Sequence, residues 1–229
     1  MTKVLIDADP GTDDALALIM ALNSPDVDVA GVTTVGGNAT LAHTTRNALR
    51  VLEYLHRPDV PVHRGSARPL TGRSYRYGYH YHGAAGLGVR LPSPKSKPHP
   101  MRALDFIRQV VSAFPQQITI VALGPLTNIA RTLALEPQLA GSTSQIVVMG
   151  GAVGVPGNVS PYAEFNIYND PVAAEAVMSS GIPVTLVPLD VCTKTFFTRG
   201  ESPWVPSANR AARLAQRVLE SWFGTHLDR

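Results

Sequence analysis

Short β-branched runs alternate with longer helical patterns along this chain, and that rhythm constrains its fold more than any other feature. Val4-Leu5-Ile6 precedes a helix-like stretch from Asp14 to Leu22, and Val27 to Val35 precedes another from Leu41 to Leu55. Ile118 to Leu123 leads into Leu126 to Leu135, and Ile146-Val147-Val148 leads through a loop into Val172 to Met178. Val184 to Val187 reads as a further buried strand, and Ala211 to Phe223 as an amphipathic helix. Such alternation is the signature of βαβ units. The expected class is α/β: a mainly parallel, Rossmann-like sheet flanked by helices, with its active site at the carboxyl-terminal rim of the strands.

The 229 residues, 45% hydrophobic and 16% charged, are enough to bury one sizeable core and exclude a disordered chain. No repeat or linker divides residues 1–229, so a single domain is expected. The 20 Lys and Arg are scattered, with a net charge of only +3, which argues against a nucleic-acid partner. No run approaches the ~20 apolar residues that span a bilayer, and MTKVLIDADPG turns acidic before a signal-like core could form. A soluble, cytoplasmic protein without a membrane partner is expected. The single Cys192 excludes an internal disulfide or a cysteine-only metal site and reads as a core residue. Ser66 to Pro100, rich in Gly, Pro, Tyr and His, has no apolar period and is too long for an ordinary connection, which suggests a lid.

Asp7, Asp9, Asp13 and Asp14 place four carboxylates within eight residues around a Pro10-Gly11 turn. Converging carboxylates repel unless a counter-ion is present, and a hard cation such as calcium accepts carboxylate, carbonyl and substrate oxygens. Gly11 would let the chain turn sharply enough to bring Asp9 and Asp14 to one ion. A structural reading accounts for part of this: Thr12 is a good helix N-cap, and Asp13 and Asp14 complement the helix dipole. It leaves Asp7 and Asp9, which end an apolar strand where acidic residues have poor propensity. A second polar group, from Gly157 to Pro171, holds Asn158, Glu164, Asn166 and Asn169, residue types that grip a polyhydroxylated sugar but also form ordinary turns. Asp170-Pro171 reads as the start of a helix.

With these residues in view, Asp7-Ala8-Asp9-Pro10-Gly11-Thr12-Asp13-Asp14-Ala15 resembles the aspartate signature of the inosine-uridine preferring nucleoside hydrolases. Val35-Gly36-Gly37-Asn38, His82 to Gly88, Gly124-Pro125-Leu126-Thr127-Asn128, Met149-Gly150-Gly151 and Ala163-Glu164-Phe165-Asn166 are similar to family segments in the same order, out to about Asp190. The resemblance implies hydrolysis of the N-glycosidic bond of a ribonucleoside to ribose and free base, in nucleoside salvage, by a homo-oligomer. It implies Asp9, Asp14 and the Leu123 carbonyl as calcium ligands, with Asp9 as general base toward a calcium-bound water. Asp13, Asn38 and Asn166 match residues that hold the ribose 2′ and 3′ hydroxyls and the water, Asn158 and Glu164 match those near the 5′ hydroxyl, and Met149 would line the sugar pocket. His82, beside His80 and Tyr81, is a candidate proton donor to the leaving base, although His and Tyr in such a loop are also ordinary surface residues.

Family members usually continue beyond this length and carry a later His-Asp pair that supplies a leaving-group acid and a further calcium carboxylate. No His-Asp dipeptide occurs here, and His226 and Asp228 have different spacing, so neither role is transferred to them. The expectation is a fragmentary or C-terminally short member, one completed by a partner subunit, or one without activity, with exposed apolar surface favouring association. Two other readings stay open: a sugar- or nucleoside-binding pseudoenzyme, and a haloacid dehalogenase-type magnesium phosphatase, since an aspartate pair after a first strand can supply its nucleophile and acid.

Overall fold

The computed structural model describes residues 1–196, 198 and 209–226, the side chains of 225 and 226 excepted. Its strands are β1 (Thr2–Ala8), β2 (Val27–Thr34), β3 (Val62–Arg64), β4 (Ile118–Ala122), β5 (Gln145–Met149) and β6 (Val184–Val187). The helices are α1 (Thr12–Asn23), α2 (Leu41–Tyr54), α3 (Tyr79–His82), α4 (Ala103–Ala113), α5 (Thr127–Leu135), α6 (Phe165–Asn169), α7 (Pro171–Met178), α8 (Leu189–Cys192) and α9 (Arg210–His226). The strands form one sheet in the order β3-β2-β1-β4-β5-β6, and every ladder is parallel. The α/β class expected from the alternating pattern is therefore the one observed.

Side-chain alternation in β1 explains how the sheet is covered and where its acids go. Val4, Ile6 and Ala8 enter a core with Leu18 of α1, Leu52 of α2 and Leu214 of α9. Leu5 faces the other way, into a core with Phe106 of α4, Ile129 of α5 and Val177 of α7. With a period of two, Asp7 and Asp9 follow Leu5 onto that second face. Burial on both sides is why β1 reads as a continuous apolar run up to its acidic end.

Several local expectations are corrected. The N-cap of α1 is Gly11, and Thr12 is the first helical residue; Asp14 closes the turn by accepting from the Gly11 N–H at 3.0 Å. Cys192 is half-buried on the short α8, outside both cores. The first part of the long connection is a fixed strap: Ser66 N–H donates to Asn128 Oδ1, Leu70 N–H to Asp170 Oδ2 and Arg76 N–H to Asn169 Oδ1, at 2.8, 2.8 and 2.7 Å. The short strand β3 and the helix α4 lie in stretches where the sequence suggested no element. Asp170 does cap α7, accepting from Ala173 N–H at 3.2 Å, with Pro171 in the first turn. No helix among the described residues is long and apolar enough to cross a membrane.

Helix α9 carries Ala211, Leu214 and Val218 into the α1 side of the core, and Leu214 is fully buried. Truncating a buried leucine removes transfer energy and leaves a cavity, so Leu214→Ala should destabilise the fold by about 2–5 kcal/mol. Urea unfolding of the variant and the parent checks this, and a difference under about 1 kcal/mol would mean that α9 does not dock as described.

Candidate functional site

Strand order reverses at β1, with β2 on one side and β4 on the other, so the loops after β1 and β4 part at the crevice where open α/β sheets bind ligands. Asp9 lies one residue past the end of β1, and its carboxylate is fully buried. Asp9 Oδ2 accepts from the Asn38 N–H at 2.5 Å. Two glycines leave the space this group occupies: a Cβ on Gly37 would stand 2.1 Å from Asp9 Oδ2, and one on Gly124 would stand 2.4 Å from Asp9 Oδ1. Any side chain at either position would expel the carboxylate.

Asp14, in the first turn of α1, points into the same place. Its Oδ2 accepts from Gly11 N–H and from Asn38 Nδ2 at 3.0 and 3.1 Å, so Asn38 bridges the two aspartates. The second oxygen of each, Asp9 Oδ1 and Asp14 Oδ1, is buried without a hydrogen-bond partner among the described residues. Burial, followed by the nearby Asp14 charge, holds the Asp9 carboxyl well above the usual range. Burial and the Asp13 charge push Asp14 up to about 8. Unsatisfied buried carboxylate oxygens are costly, and a hard cation removes that cost. The Leu123 carbonyl, at the end of β4, adds a third oxygen to the crevice and also accepts from Asn166 Nδ2 at 2.8 Å. An all-oxygen set of this kind fits a hard divalent ion. Among the described residues, no group of three His, Cys, Asp or Glu side chains converges in metal-binding geometry. Asp228 and the side chain of His226 lie outside what is described.

The four aspartates of the cluster have different surroundings. Asp7, two residues back along β1, accepts from Thr33 Oγ1 at 2.5 Å and Asn128 Nδ2 at 2.8 Å. Burial outweighs those two hydrogen bonds and raises its pKa to about 6. Asp13 is largely exposed, and its Oδ1 lies 4.0 Å from His82 Nδ1.

Apart from Asp9 and Asp14, the site residues named from the sequence line one cavity of about 310 Å³: Asp13, Asn38, His82, Leu123, Met149, Asn158, Glu164 and Asn166. That volume is at the lower end of small-molecule sites, about 300–1,000 Å³. Glu164 caps α6 with one oxygen, Oε2 accepting from Gly151, Asn166 and Ile167 N–H groups at 3.2, 2.8 and 3.1 Å. Burial raises its pKa against those hydrogen bonds. Asn166 Nδ2 also reaches the Met149 carbonyl at 3.2 Å, which ties the ends of β4 and β5 to α6. His82 is buried, and its Nδ1 accepts from the Thr12 N–H at 3.2 Å, so the neutral ring carries its proton on Nε2.

The sequence reading missed two groups. Tyr81 and Trp222 complete the cavity wall around His82, with the Trp222 ring centroid 6.1 Å from that of His82. The signal for Trp222 was present, an aromatic residue on an amphipathic helix, but nothing local points that helix at the rim. Thr33 and Asn128, which orient Asp7, lie on β2 and α5, and only the tertiary fold brings them together.

A family model described as inosine-uridine preferring nucleoside hydrolase matches residues 4–228. The chain is 45% identical over 197 residues to a probable uridine nucleosidase 1 of Oryza sativa subsp. japonica, covering 86% of this chain and 61% of that protein. It is 47% identical over 227 residues to the pyrimidine-specific ribonucleoside hydrolase RihA of Klebsiella pneumoniae, covering 98% of this chain and 72% of the relative. Among solved structures, a plant nucleoside hydrolase superposes with a TM-score of 0.90 at 38% identity, over 99% of this chain and 73% of that one. The chain thus spans about three fifths of the length of the rice relative.

The raised carboxyls give a signed dependence on pH. In the folded protein Asp14 keeps its proton up to about 8, whereas an unfolded aspartate releases it near 3.8. Between those limits the folded state binds more protons than the unfolded state, so stability must fall as pH rises. In chelator, Tm should therefore decrease from pH 5 to pH 8, and Asp14→Asn should flatten the decline. A Tm that rises across this window in chelator would contradict the burial described.

Proposed function

The chain belongs to the inosine-uridine preferring nucleoside hydrolase family, and from that premise we propose that it cleaves the N-glycosidic bond of ribonucleosides with water, giving ribose and a free base. The observation that carries this reading is the pair of buried, unpartnered oxygens of Asp9 and Asp14, joined by Asn38 at the back of a cavity lined with amides and carboxylates. The names of two relatives, a probable uridine nucleosidase and a pyrimidine-specific ribonucleoside hydrolase, make uridine and cytidine the first substrates to test.

In this reading Asp9, Asp14 and the Leu123 carbonyl hold calcium, chosen over softer ions because every donor is oxygen. When bound, such an ion supplies positive charge to offset the two carboxylates and acidifies water in its shell. Asp9 takes the proton of the attacking water at a carboxylate oxygen. Asp13, Asn38 and Asn166 orient the 2′ and 3′ hydroxyls of the ribose and the water, Glu164 and Asn158 hold the 5′ end, and Met149 gives the sugar an apolar wall. As the base departs, the ribose becomes oxocarbenium-like, and a cavity rich in carboxylates stabilises that charge more than it stabilises neutral substrate. His82, with its proton on Nε2, donates to the leaving base.

One observation favours a second reading, nucleoside binding without turnover: only two protein carboxylates converge among the described residues. The phosphatase reading is set aside by the family assignment. Residues 1–229 are read as one nucleoside hydrolase-like domain acting in nucleoside salvage in the cytoplasm. Association into a homo-oligomer belongs to the same proposal, with exposed Val153 and Tyr162 flanking one surface cavity as the candidate contact.

A reducing-sugar assay over a nucleoside panel tests the activity. Ribose release from uridine should stop in chelator, return with calcium, and drop by roughly 10²–10⁴-fold in Asp9→Ala. Release that survives both would reject the mechanism, and calorimetric uridine binding without release would establish the second reading. His82→Ala should slow uridine hydrolysis by roughly 10²-fold or more while sparing a nitrophenyl riboside, whose leaving group needs no proton. Equal losses on both substrates would remove His82 from the acid role.

A further inference from the structure

A second cavity, about 440 Å³, lies across the Ala163–Ile167 segment from the nucleoside cavity. One wall is the strap from Pro69 to Arg76, and the other is formed by Ile167, Tyr168 and Asn169 at the end of α6. Among the described residues, Arg73 and Arg76 are the only charged ones that line it, and Thr71 and Ser74 add hydroxyls. Among the described residues neither guanidinium forms a salt bridge.

The strap that presents these groups is fixed from beneath. Asn169 grips Arg76 twice, accepting from its N–H at 2.7 Å and donating Nδ2 to its carbonyl at 3.2 Å. Tyr75 is buried, with its hydroxyl 2.8 Å from Thr127 Oγ1, which in turn donates to Asp170 Oδ2 at 2.6 Å. Asp170 is bonded to the strap through Leu70, and both of its oxygens are already engaged, Oδ2 by Leu70 N–H and Thr127, Oδ1 by Ala173 N–H. Its charge is therefore satisfied on the inner side. A surface connection needs no such buried anchoring to close a chain, whereas a recognition wall gains from it, because a preorganised site loses less entropy when a ligand arrives.

The exposed part of this wall has a definite chemistry. Two guanidinium forks and two hydroxyls, with no acid among the described lining residues, match a phosphate dianion, which arginine binds through paired hydrogen bonds. Tyr168, 47% exposed, lines the same cavity, and an exposed aromatic ring there is suited to stacking against a base. We propose that this second cavity binds a ribonucleoside monophosphate, with the phosphate on Arg73 and Arg76 and the base against Tyr168. This site is separate from the cavity that takes the hydrolysed nucleoside, and the proposal does not depend on turnover.

Calorimetry on the full chain tests the proposal with uridine monophosphate, inorganic phosphate and uridine as probes, on the parent, R73Q/R76Q and Asp13→Ala. Both arginines are exposed and outside the proposed catalytic set, so R73Q/R76Q should keep the parent Tm and uridine turnover. The nucleotide should bind the parent, be displaced by inorganic phosphate, weaken as salt rises, and bind at least 10-fold less tightly to R73Q/R76Q. Its affinity should be unchanged in Asp13→Ala and in the presence of saturating uridine. Equal affinity in R73Q/R76Q, displacement by uridine, failure of inorganic phosphate to compete, or no binding at millimolar nucleotide would each overturn the proposal.

Discussion

Asp9 carries its carboxylate into a space that two neighbouring loops keep free of side chains, and most of the rim is arranged around that burial. Parallel pairing of β1 with β4 sets Asp7 against Ala122, so the next residues in register bring Gly124 beside Asp9. Pairing of β1 with β2 sets Ala8 against Thr34, which leads the following loop back to Gly37 and Asn38. Both loops contribute absence of bulk, and the loop after β2 adds the hydrogen bonds. Asn38 then uses its backbone N–H on Asp9 and its side-chain amide on Asp14, fixing the distance between two carboxyl groups that would repel if both were ionised.

That arrangement rests on a second polar layer. Asn128, at the start of α5, donates to Asp7 Oδ1 and the Thr34 carbonyl and accepts from Ser66 N–H. One side chain therefore joins β1, β2 and the start of the strap, and Gly65 leaves it room, since a Cβ there would lie 2.2 Å from Asn128 Oδ1. Buried polar groups of this kind are tolerated only when nearly all are satisfied, and the oxygens left over are informative for that reason. Among the described residues they are Asp7 Oδ2, Asp9 Oδ1 and Asp14 Oδ1, all in this first acidic segment, together with two nitrogens elsewhere, His63 Nε2 and Arg131 Nε.

What could be read from the sequence follows from how local each signal is. The central strands are apolar on both faces and stand out in any window. The aspartates of the first loop stand out because acids at the end of such a strand have no structural use. Helix α4 was also legible in principle, since Ala103, Phe106, Ile107, Val110 and Val111 are buried at helical spacing, but it follows a long stretch dense in proline and glycine. Strand β3 has three residues, too few to show a period. The gap between Asp7 and Asp9 was not legible. The residues share a face and a charge, and only the neighbours Thr33 and Asn128 on one side and Gly37 and Gly124 on the other give them different environments.

Helix α9 shows how packing far along the chain reaches the chemistry at its beginning. Its apolar stripe completes the core beneath α1, while Ser221 Oγ donates to the Gly88 carbonyl at 2.7 Å and Arg217 donates to the Arg90 carbonyl at 2.9 Å. Gly88 has φ +72°, and a Cβ there would stand 3.1 Å from Thr12 Oγ1, so this loop lies directly against the first turn of α1. Thr12 is also the residue whose N–H fixes His82 Nδ1, and Gly88 N–H donates to the His82 carbonyl at 2.6 Å. The ring that faces the cavity is thus held between α1 and a loop pinned by α9. A loosening of α9 would change where His82 places its proton before it changed the position of Asp9, whose constraints come entirely from the sheet rim.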